Sequence, residues 1–497
     1  MSQPSSQFLK FHNWLLTHLP QPSENTIRLL LLGEADPALK KLLAEQACVL
    51  DTQVLDDFIK DPVTSPTYDV LLLLNCLINF ADISPVFEQA KACLKSDGRL
   101  LLVEIVADIN HPEPHFSQQT TAEIEHYFAA SGFFCRHHLS YPLTVKKQMH
   151  CGEYQECWDL RPDIFKVRNY RPGDEYPILD AFQEIFSTQR SKAHWLWKFA
   201  QNPFGPPMAS LVWKGHHLLA QYAAYPVPFW MQGDSFLTQQ VGDIFIDPQY
   251  RGIGRGQTSL LGRAFRHYTR VYCEGQIPFF YSFLTGTHLR FGKLFLNYQC
   301  VTYVQEWHLP AATIPRLKQA EDRWNWLHGY KITETETVEA WADEVFVQAR
   351  NAYGSLIARN QQYLTWRYQN HPDQQYHFFV ISLHGKALGW WICRVENQIL
   401  FLGDALFVPG EQALFAARLG LIKAFTRMQK KYGAIQLVVG WFGNNPQWWV
   451  EILKNLKFTA QPQSQGLELC VSPFSQEPEL KVLQENHYYT QGDSDLF

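Results

Sequence analysis

The chain has 497 residues, of which 46% are apolar and 18% are charged, and its formal net charge is −5. This composition is typical of a globular, core-forming protein, and the length corresponds to about three domains. The near-neutral charge balance excludes a strong overall attraction to nucleic acid or to acidic membranes, so we expect neither as a partner. No apolar run reaches the roughly 20 residues needed to span a bilayer.

The N-terminus and the cysteines indicate the compartment. The first ten residues lack the basic head and apolar run of a signal peptide. The ten cysteines are scattered and include no Cys-x-x-Cys pair. We therefore expect reduced thiols, no metal site and a cytoplasmic location. The oligomeric state is left open.

Residues 1–160 alternate strands with helices. Apolar runs at 27–32, 68–74 and 99–104 are typical of buried parallel strands, and 48–51 reads as a further strand. This alternation predicts a doubly wound, Rossmann-like α/β domain. The intervening predictions are helices at 8–19 and 85–94, a helix ending at 43, and a turn at 95–98.

The segment 68–103, followed by Ala-Ala-Ser-Gly-Phe at 129–133, resembles class I SAM-dependent methyltransferases. In that family a Gly-x-Gly-x-Gly run follows the first strand, and an acidic residue at the end of the second strand binds the ribose. The matching positions here are Gly33, which is followed by Glu-Ala-Asp-Pro, and Asp51. Because two of the three glycines are missing, we expect a degenerate domain. SAM binding at Gly33 and Asp51 is the alternative.

Residues 161–310 contain a strand, a glycine-rich turn and a helix in direct succession. A strand at 241–246 is followed by Asp-Pro, by the glycine-rich run 251–256 and by a helical pattern from 260 onward. Glycines allow tight turns and close approach of a ligand, and the first amides of a helix attract phosphate. Arg251 and Arg255 add permanent positive charge. The sequence therefore predicts a site for a phosphate-bearing cofactor.

The spacing of this motif distinguishes it from other phosphate loops. It lacks the Lys of a P-loop and the Gly-x-Gly-x-x-Gly of a dinucleotide site. Arg-x-x-Gly-x-Gly after a strand resembles the acetyl-CoA motif of the GNAT superfamily of N-acyltransferases, as does the succession of two helices, β-meander, loop and helix. The resemblance implies that the loop amides hold the pyrophosphate while the strand pairs with the pantetheine arm. The implied cofactor-binding residues are Ile244, Phe245, Ile246, Arg251, Gly252, Ile253, Gly254, Arg255 and Gly256.

Acyl transfer to an amine needs a proton acceptor for the amine and a proton donor for the leaving thiolate. In the GNAT family a Glu on the strand before the loop and a Tyr near the following helix often fill these roles. Here Asp243 is the only carboxylate in that strand, and Tyr298 and Tyr281 are the candidate acids. Water is the alternative base.

Residues 311–472 repeat the pattern. The run 363–372 matches 194–203 with Trp and Pro at equal spacing, and Gly-Asp recurs at 403–404 as at 242–243. We therefore predict a second GNAT-like fold, with Trp197 and Trp366 filling equivalent core sites. Its turn has no glycine-arginine run and carries Glu411, so we predict no CoA binding there.

These observations predict a mixed α/β (α+β) protein: a Rossmann-like domain at 1–160, GNAT-like mixed-sheet domains at 161–310 and 311–472, and a poorly ordered polar tail at 473–497. The predicted function is transfer of an acetyl group from acetyl-CoA to a primary amine of a small molecule or a protein. The alternatives are a bifunctional SAM methyltransferase and acetyltransferase, or a CoA-binding protein without catalysis.

Overall fold

The computed structural model describes residues 6–19, 27–33, 35, 37–45, 48–60, 65–77, 80, 82–107, 120–145, 149–314, 329–433, 435–476 and 479–497. The chain divides into two compact units, Met1–Phe165 with Gln249–Leu260, and Lys166–Pro248 with Leu261–Phe497. The glycine-rich loop therefore groups with the N-terminal unit. Over the described ranges, no helix combines the length and the apolar character needed to cross a bilayer.

The N-terminal unit is built on one six-stranded sheet. Its strands are β1 (Ile27–Gly33), β2 (Cys48–Gln53), β3 (Tyr68–Leu74), β4 (Leu94–Ala107), β5 (Phe133–Val145) and β6 (Met149–Pro162), and its helices are α1 (Ser6–His18), α2 (Pro37–Glu45), α3 (Leu55–Lys60), α4 (Ser84–Cys93) and α5 (Thr121–Ala130). The order is β2-β1-β3-β4-β6-β5. The first four are parallel, and β6 runs antiparallel to both neighbours.

The leucine run of β1 is buried on both faces of this sheet. Leu30 and Leu32 pack into one apolar cluster, whereas Leu29 and Leu31 pack into another. Successive side chains of a strand point to opposite faces, so a continuous apolar run implies cover on both sides. The strands predicted at 27–32 and 68–74 are present as β1 and β3.

The turn predicted at 95–98 is wrong in form. These residues lie inside β4, where the register with β3 jumps from Tyr68↔Leu94 to Val70↔Arg99. The extra residues are accommodated as an irregularity within the strand, because Leu94 and Arg99 both remain paired with β3. A Lys-Ser-Asp-Gly sequence serves a bulge as readily as a reversal of the chain.

The larger unit contains two mixed sheets. Its strands are β7 (Phe165–Asn169), β8 (Met208–Lys214), β9 (His217–Met231), β10 (Asp234–Ile246), β11 (Phe279–Leu284), β12 (Gln299–Tyr303), β13 (Gln305–Pro310), β14 (Tyr330–Thr335), β15 (Ser355–Ile357), β16 (His377–Leu383), β17 (Lys386–Glu396), β18 (Ile399–Phe407), β19 (Leu437–Trp441), β20 (Thr459–Pro462) and β21 (Glu468–Pro473). The first sheet runs β12-β21-β11-β10-β9-β8-β7, with β15 beside β9, and the second runs β14-β16-β17-β18-β19-β13-β20.

Helices complete the larger unit. They are α6 (Glu175–Phe186), α7 (Lys192–Trp195), α8 (Leu260–Tyr272, whose first residue groups with the N-terminal unit), α9 (Gly286–Phe295), α10 (Trp341–Tyr353), α11 (Gln361–Leu364), α12 (Glu411–Tyr432), α13 (Gln447–Asn455) and α14 (Leu480–Asn486). The helices α7 and α11 are each continued by a single π-helical segment, Leu196–Ala200 and Thr365–Gln369. Trp197 and Trp366 take the second position of these segments, and both are buried.

The two sheets exchange strands across the predicted boundary at 310. The strand β13, which precedes that boundary, pairs with β19 and β20 of the second sheet. The strand β21, near the end of the chain, pairs with β11 and β12 of the first sheet. Each sheet therefore depends on a segment from the other half of the unit, and one apolar core runs through both.

The poor order predicted for 473–497 is wrong. Tyr488, Tyr489 and Phe497 are buried in the core of the larger unit, and the polar Thr490 and Asp493 are buried with them. The prediction rests on the frequent Glu, Gln and Ser residues of this segment, which are usually exposed to solvent. In the structure, buried arginines supply the hydrogen bonds that water would otherwise provide, and the aromatic residues supply apolar contact.

Candidate functional site

Pairing between β10 and β11 stops after two residue pairs. Gln239 pairs with Phe280 and Gln240 with Tyr281, in parallel, while β10 continues to Ile246. We call the place where this pairing stops, from Val241 onward on β10, the first wedge. Among the described residues, this side of β10 has no strand pairing beyond Gln240, although the Val241 carbonyl oxygen accepts from Ser282 Oγ at 3.2 Å. Backbone at such an edge can pair with a ligand.

The first wedge begins at a bulge. The register of β10 against β9 shifts between Gly242 and Phe245. Asp243 inside the bulge has a φ of 54°, in the left-handed region. The predicted strand 241–246 is thus the second part of a longer strand with a bulge, and the bulge sets the direction of the Asp243 side chain.

Asp243 is held by two cations. Its Oδ2 accepts from the Arg190 guanidinium, and its Oδ1 accepts from Lys198 Nζ at 3.1 Å. Burial alone would raise the pKa of the Asp243 carboxyl, but the attraction of Lys198 and Arg190 outweighs it and holds the pKa below the ordinary value. A carboxylate in this state is a poor proton acceptor at neutral pH, which argues against its predicted role as the base.

A second carboxylate reaches the same lysine from the C-terminal end of the chain. Asp495 Oδ2 accepts from Lys198 Nζ at 3.1 Å. A Cβ placed on Gly242 would lie only 2.6 Å from this oxygen, so the backbone and the carboxylate are in close contact. Sequence reasoning missed Arg190, Lys198 and Asp495, because they come together around Asp243 from two distant parts of the chain.

One signal could have found the arginine. Arg190 and Arg359 stand at the same distance before Trp197 and Trp366, as Lys198 and Arg367 stand directly after them. In the second half of the unit, Arg359 Nε donates to Asp404 Oδ1 at 2.8 Å. The aspartate of the repeated Gly-Asp pair therefore has a cationic partner in both halves.

The two predicted acids are both buried. The Tyr298 hydroxyl pairs with that of Tyr222, and burial raises the pKa of Tyr298. The Tyr281 hydroxyl donates to Gln240 Oε1 and to the carbonyl oxygen of Asp493, each at 3.2 Å. Tyr281 belongs to the last paired position before the first wedge, whereas Tyr298 packs against Gly292.

The glycine-rich loop uses left-handed backbone at three positions. The φ values of Gly252, Gly254 and Gly256 are 87°, 71° and 53°. A Cβ on Gly254 would lie 2.4 Å from the Thr258 carbonyl oxygen, so glycine is required there. Within the N-terminal unit, the Gly254 N–H donates to the carbonyl oxygen of Cys135 at 2.9 Å.

The two arginines of the glycine-rich loop are accessible to solvent. Arg251 and Arg255 are exposed, while Gly256 begins a 3-10 turn, Gly256–Thr258. In the second half of the larger unit the matching turn is short: Gly410 has a φ of 117° and Glu411 begins α12 directly. The difference in loop chemistry predicted between the two halves is therefore present in the backbone.

The candidate SAM residues have structural partners. A Cβ on Gly33, whose φ is 101°, would lie 2.4 Å from the Leu74 carbonyl oxygen, so this glycine allows β1 to approach β3. Asp51 lies within β2, short of its end, and pairs with Arg28 at 3.2 Å. Gly33 thus has a packing role, and Asp51 has an ion-pair partner.

No protein-family model matches the sequence, and no curated protein matches it. The solved structures that are similar to it include N-acyltransferases and GCN5-related N-acetyltransferases. One is a probable N-acyltransferase of Enterococcus faecalis V583, with a TM-score of 0.48, 14% identity, and coverage of 65% of this chain and 75% of that one. Another is a GCN5-related N-acetyltransferase from Anabaena variabilis, with a TM-score of 0.46, 13% identity, and coverage of 63% and 73%.

A tandem GNAT protein from the clavulanic acid biosynthesis pathway is also similar. Its TM-score is 0.42 and its identity is 11%, with coverage of 63% of this chain and 99% of that one.

Proposed function

We propose that the protein is an acetyl-CoA-dependent N-acyltransferase that moves an acetyl group to a primary amine by direct attack in a ternary complex. The observation that carries the proposal is a succession along the chain. A strand whose pairing stops at a bulge, residues 241–246, leads directly into a loop with left-handed glycines at 252, 254 and 256. This is the order that the GNAT resemblance implies for its cofactor.

The loop residues suit a pyrophosphate. Arg251 and Arg255 are exposed, and residues 251–256 include no acid that would repel phosphate. The Gly254 amide is engaged by the Cys135 carbonyl oxygen, so phosphate binding at this amide would exchange one acceptor for another. We propose that Ile244, Phe245 and Ile246 pair with the pantetheine arm in the manner that the resemblance implies.

Acetyl-CoA would supply the acetyl thioester when bound. We propose that the protein's own residues hold and orient charged groups around the first wedge. Asp243 fixes Arg190 and Lys198 there, and the proton of the acceptor amine is proposed to leave to water. Of the two tyrosines, Tyr281 adjoins the wedge and keeps the proposed role of proton donor to the leaving thiolate.

A second candidate function is CoA binding without catalysis. It is favoured by one observation: Asp243 is held by two cations and both tyrosine hydroxyls are engaged in the core. The bifunctional alternative with SAM has less support, because Gly33 and Asp51 both have structural partners.

Thermal unfolding with acetyl-CoA and with SAM, added separately, tests these proposals. At about one hundred times its Kd a ligand stabilises the native state by about 2.7 kcal/mol. We expect a shift with acetyl-CoA but not with SAM, and none with pantetheine, which lacks the phosphates. A shift with SAM would support the bifunctional protein. A shift with acetyl-CoA without release of CoA to any amine would support the binding protein.

A further inference from the structure

The C-terminal segment, residues 488–497, runs between the two halves of the larger unit. Tyr488 is fully buried and donates to the Ala405 carbonyl oxygen of β18. Farther on, Arg367 donates to the carbonyl oxygens of Ser494 and Phe497, at 2.9 and 2.8 Å. The segment is therefore fixed on the side of the second sheet.

Two aspartates of the C-terminal segment contact opposite halves. Asp493 accepts from the Arg359 guanidinium at 2.7 and 2.8 Å, and Asp495 accepts from Lys198 Nζ at 3.1 Å. Arg359 is the partner of Asp404 in the second half, as Lys198 is the partner of Asp243 in the first. One segment thus supplies one carboxylate to each Gly-Asp pair. The register of β18 against β17 also shifts at Gly403, so both pairs lie at bulges.

The bulge of the second half is closed. Pairing between β18 and β19 ends at Leu402↔Gly440, and the ring of Phe497 covers the next residue, Gly403. A Cβ on Gly403 would lie 1.8 Å from that ring. The side chains of Asp404 and Asp493 are 0% and 2% exposed, which leaves no room for a ligand.

Asp495 is the more exposed of the two carboxylates at the first wedge. The side chain of Asp495 is 27% exposed, against 5% for Asp243 and 3% for Lys198. Both oxygens of Asp243 accept from cations, whereas Asp495 accepts from Lys198 through Oδ2. Asp495 therefore presents the accessible carboxylate beside Gly242, where pairing of β10 and β11 has stopped.

We propose that Asp495 binds the acceptor, and that the acceptor is a cationic primary amine whose ammonium group pairs with this carboxylate. The inference rests on the proposed acyltransferase function and assigns its substrate class. Primary amines of the lysine type are protonated at neutral pH, so an accessible carboxylate attracts them. Lys198 holds Asp495 in position, and Asp243 in turn holds Lys198. Asp495 is thus an acceptor-binding residue, and Lys198 is a positioning residue.

The test compares acceptors that differ in charge. The full chain is assayed for CoA release from acetyl-CoA with 1,4-diaminobutane, which is cationic, and with O-methylhydroxylamine, an amine that is uncharged at neutral pH. Asp495→Asn is expected to raise the KM for 1,4-diaminobutane by at least about tenfold. The KM values for acetyl-CoA and for O-methylhydroxylamine should stay within about twofold of wild type. Asp495→Glu, which keeps the charge, should recover part of the diamine affinity.

Glu485→Gln is the matched control, because it removes the same charge from an exposed pair with Lys481 just before the segment. It should change neither KM. An equal rise of both amine KM values in Asp495→Asn would indicate a structural role and overturn the inference, as would an unchanged diamine KM. If the wild-type protein binds acetyl-CoA but does not acetylate 1,4-diaminobutane, the proposal that the acceptor is a cationic amine is wrong, while the proposed cofactor site stands. Failure to bind acetyl-CoA would instead remove the proposed function.

Discussion

Trp197 and Trp366 fix each other: each indole Nε1–H donates to the backbone carbonyl oxygen of the other residue, at 2.6 and 2.8 Å. Their rings stack with centroids 5.6 Å apart. Both occupy the same position of a π-helical segment, so the contact is reciprocal. The matched Trp motifs of the sequence therefore meet face to face at the centre of the larger unit.

Replacing either tryptophan by phenylalanine should destabilise the larger unit by about 1–3 kcal/mol, because a buried carbonyl oxygen loses its donor. Trp197→Phe and Trp366→Phe together should cost less than the sum of the two, since the first change already loosens the second bond. Urea unfolding of the three variants measures this coupling. Trp213→Phe is the control, because its buried Nε1 has no hydrogen-bond partner in the described part of the chain. Additive losses would contradict a reciprocal contact.

Asp243→Asn should destabilise the larger unit by about 3 kcal/mol, because Arg190 and Lys198 would stay buried with one carboxylate fewer. The depressed pKa gives the pH dependence its sign. The contribution of Asp243 is present above the ordinary carboxyl pKa of 3.8 and is lost as the pH falls below it. Thermal unfolding at several pH values measures both effects, with the exposed Asp234→Asn on the same strand as control. Lost activity at unchanged stability would instead point to Asp243 as the base.

The N-terminal unit should lose stability as the pH rises towards 8. Burial raises the pKa of Glu104 to about 7, although the amides of Leu77 and Ile105 donate to its carboxyl group. A raised pKa means that the contribution is fully present below about 4.5 and is lost as the pH rises through about 7, on the order of 3 kcal/mol. Glu104→Gln should flatten this dependence, measured by thermal unfolding between pH 4 and 8. The exposed Glu88→Gln should leave it unchanged, and an unaltered slope in Glu104→Gln would refute the assignment.

Gly33→Ala should destabilise the N-terminal unit by more than its left-handed backbone alone requires. The added methyl would lie 2.4 Å from the Leu74 carbonyl oxygen, which cannot move without parting β1 from β3. We expect a loss of about 2–4 kcal/mol in thermal unfolding. Gly173→Ala has a nearly equal φ, 103° against 101°, and open space around it, so it should cost only about 1 kcal/mol. Equal losses would show that Gly33 has no packing role.

Much of the fold could be predicted from local pattern. Buried strands such as β1 and β3 are continuous apolar runs, and a strand, a glycine-rich turn and a helix follow one another in the motif at 241–272. These signals are local, because a strand's burial and a glycine's left-handed turn depend on adjacent residues. The second Gly-Asp pair is predictable from the repeat, because both halves carry the same short patterns in the same order.

The partners across the sheets could not be predicted this way. The exchange of β13 and β21 depends on which edges lie free after both halves fold, and no residue pattern within either strand records its neighbour. Likewise, Asp495 meets Lys198 because the C-terminal segment is anchored by Arg359 and Arg367. The polar composition of this segment predicts that it is exposed and poorly ordered, because composition does not reveal buried cationic partners.

We propose that the loop at 251–256 binds acetyl-CoA, and isothermal titration of the full chain with acetyl-CoA measures this binding. We predict one acetyl-CoA per chain, and a loss of at least about tenfold in affinity in the double variant Arg251→Ala and Arg255→Ala. Arg270→Ala, which removes an exposed arginine from α8, should bind as wild type does. Absence of binding, or equal affinity of the double variant and wild type, would show that this loop is not an acetyl-CoA site.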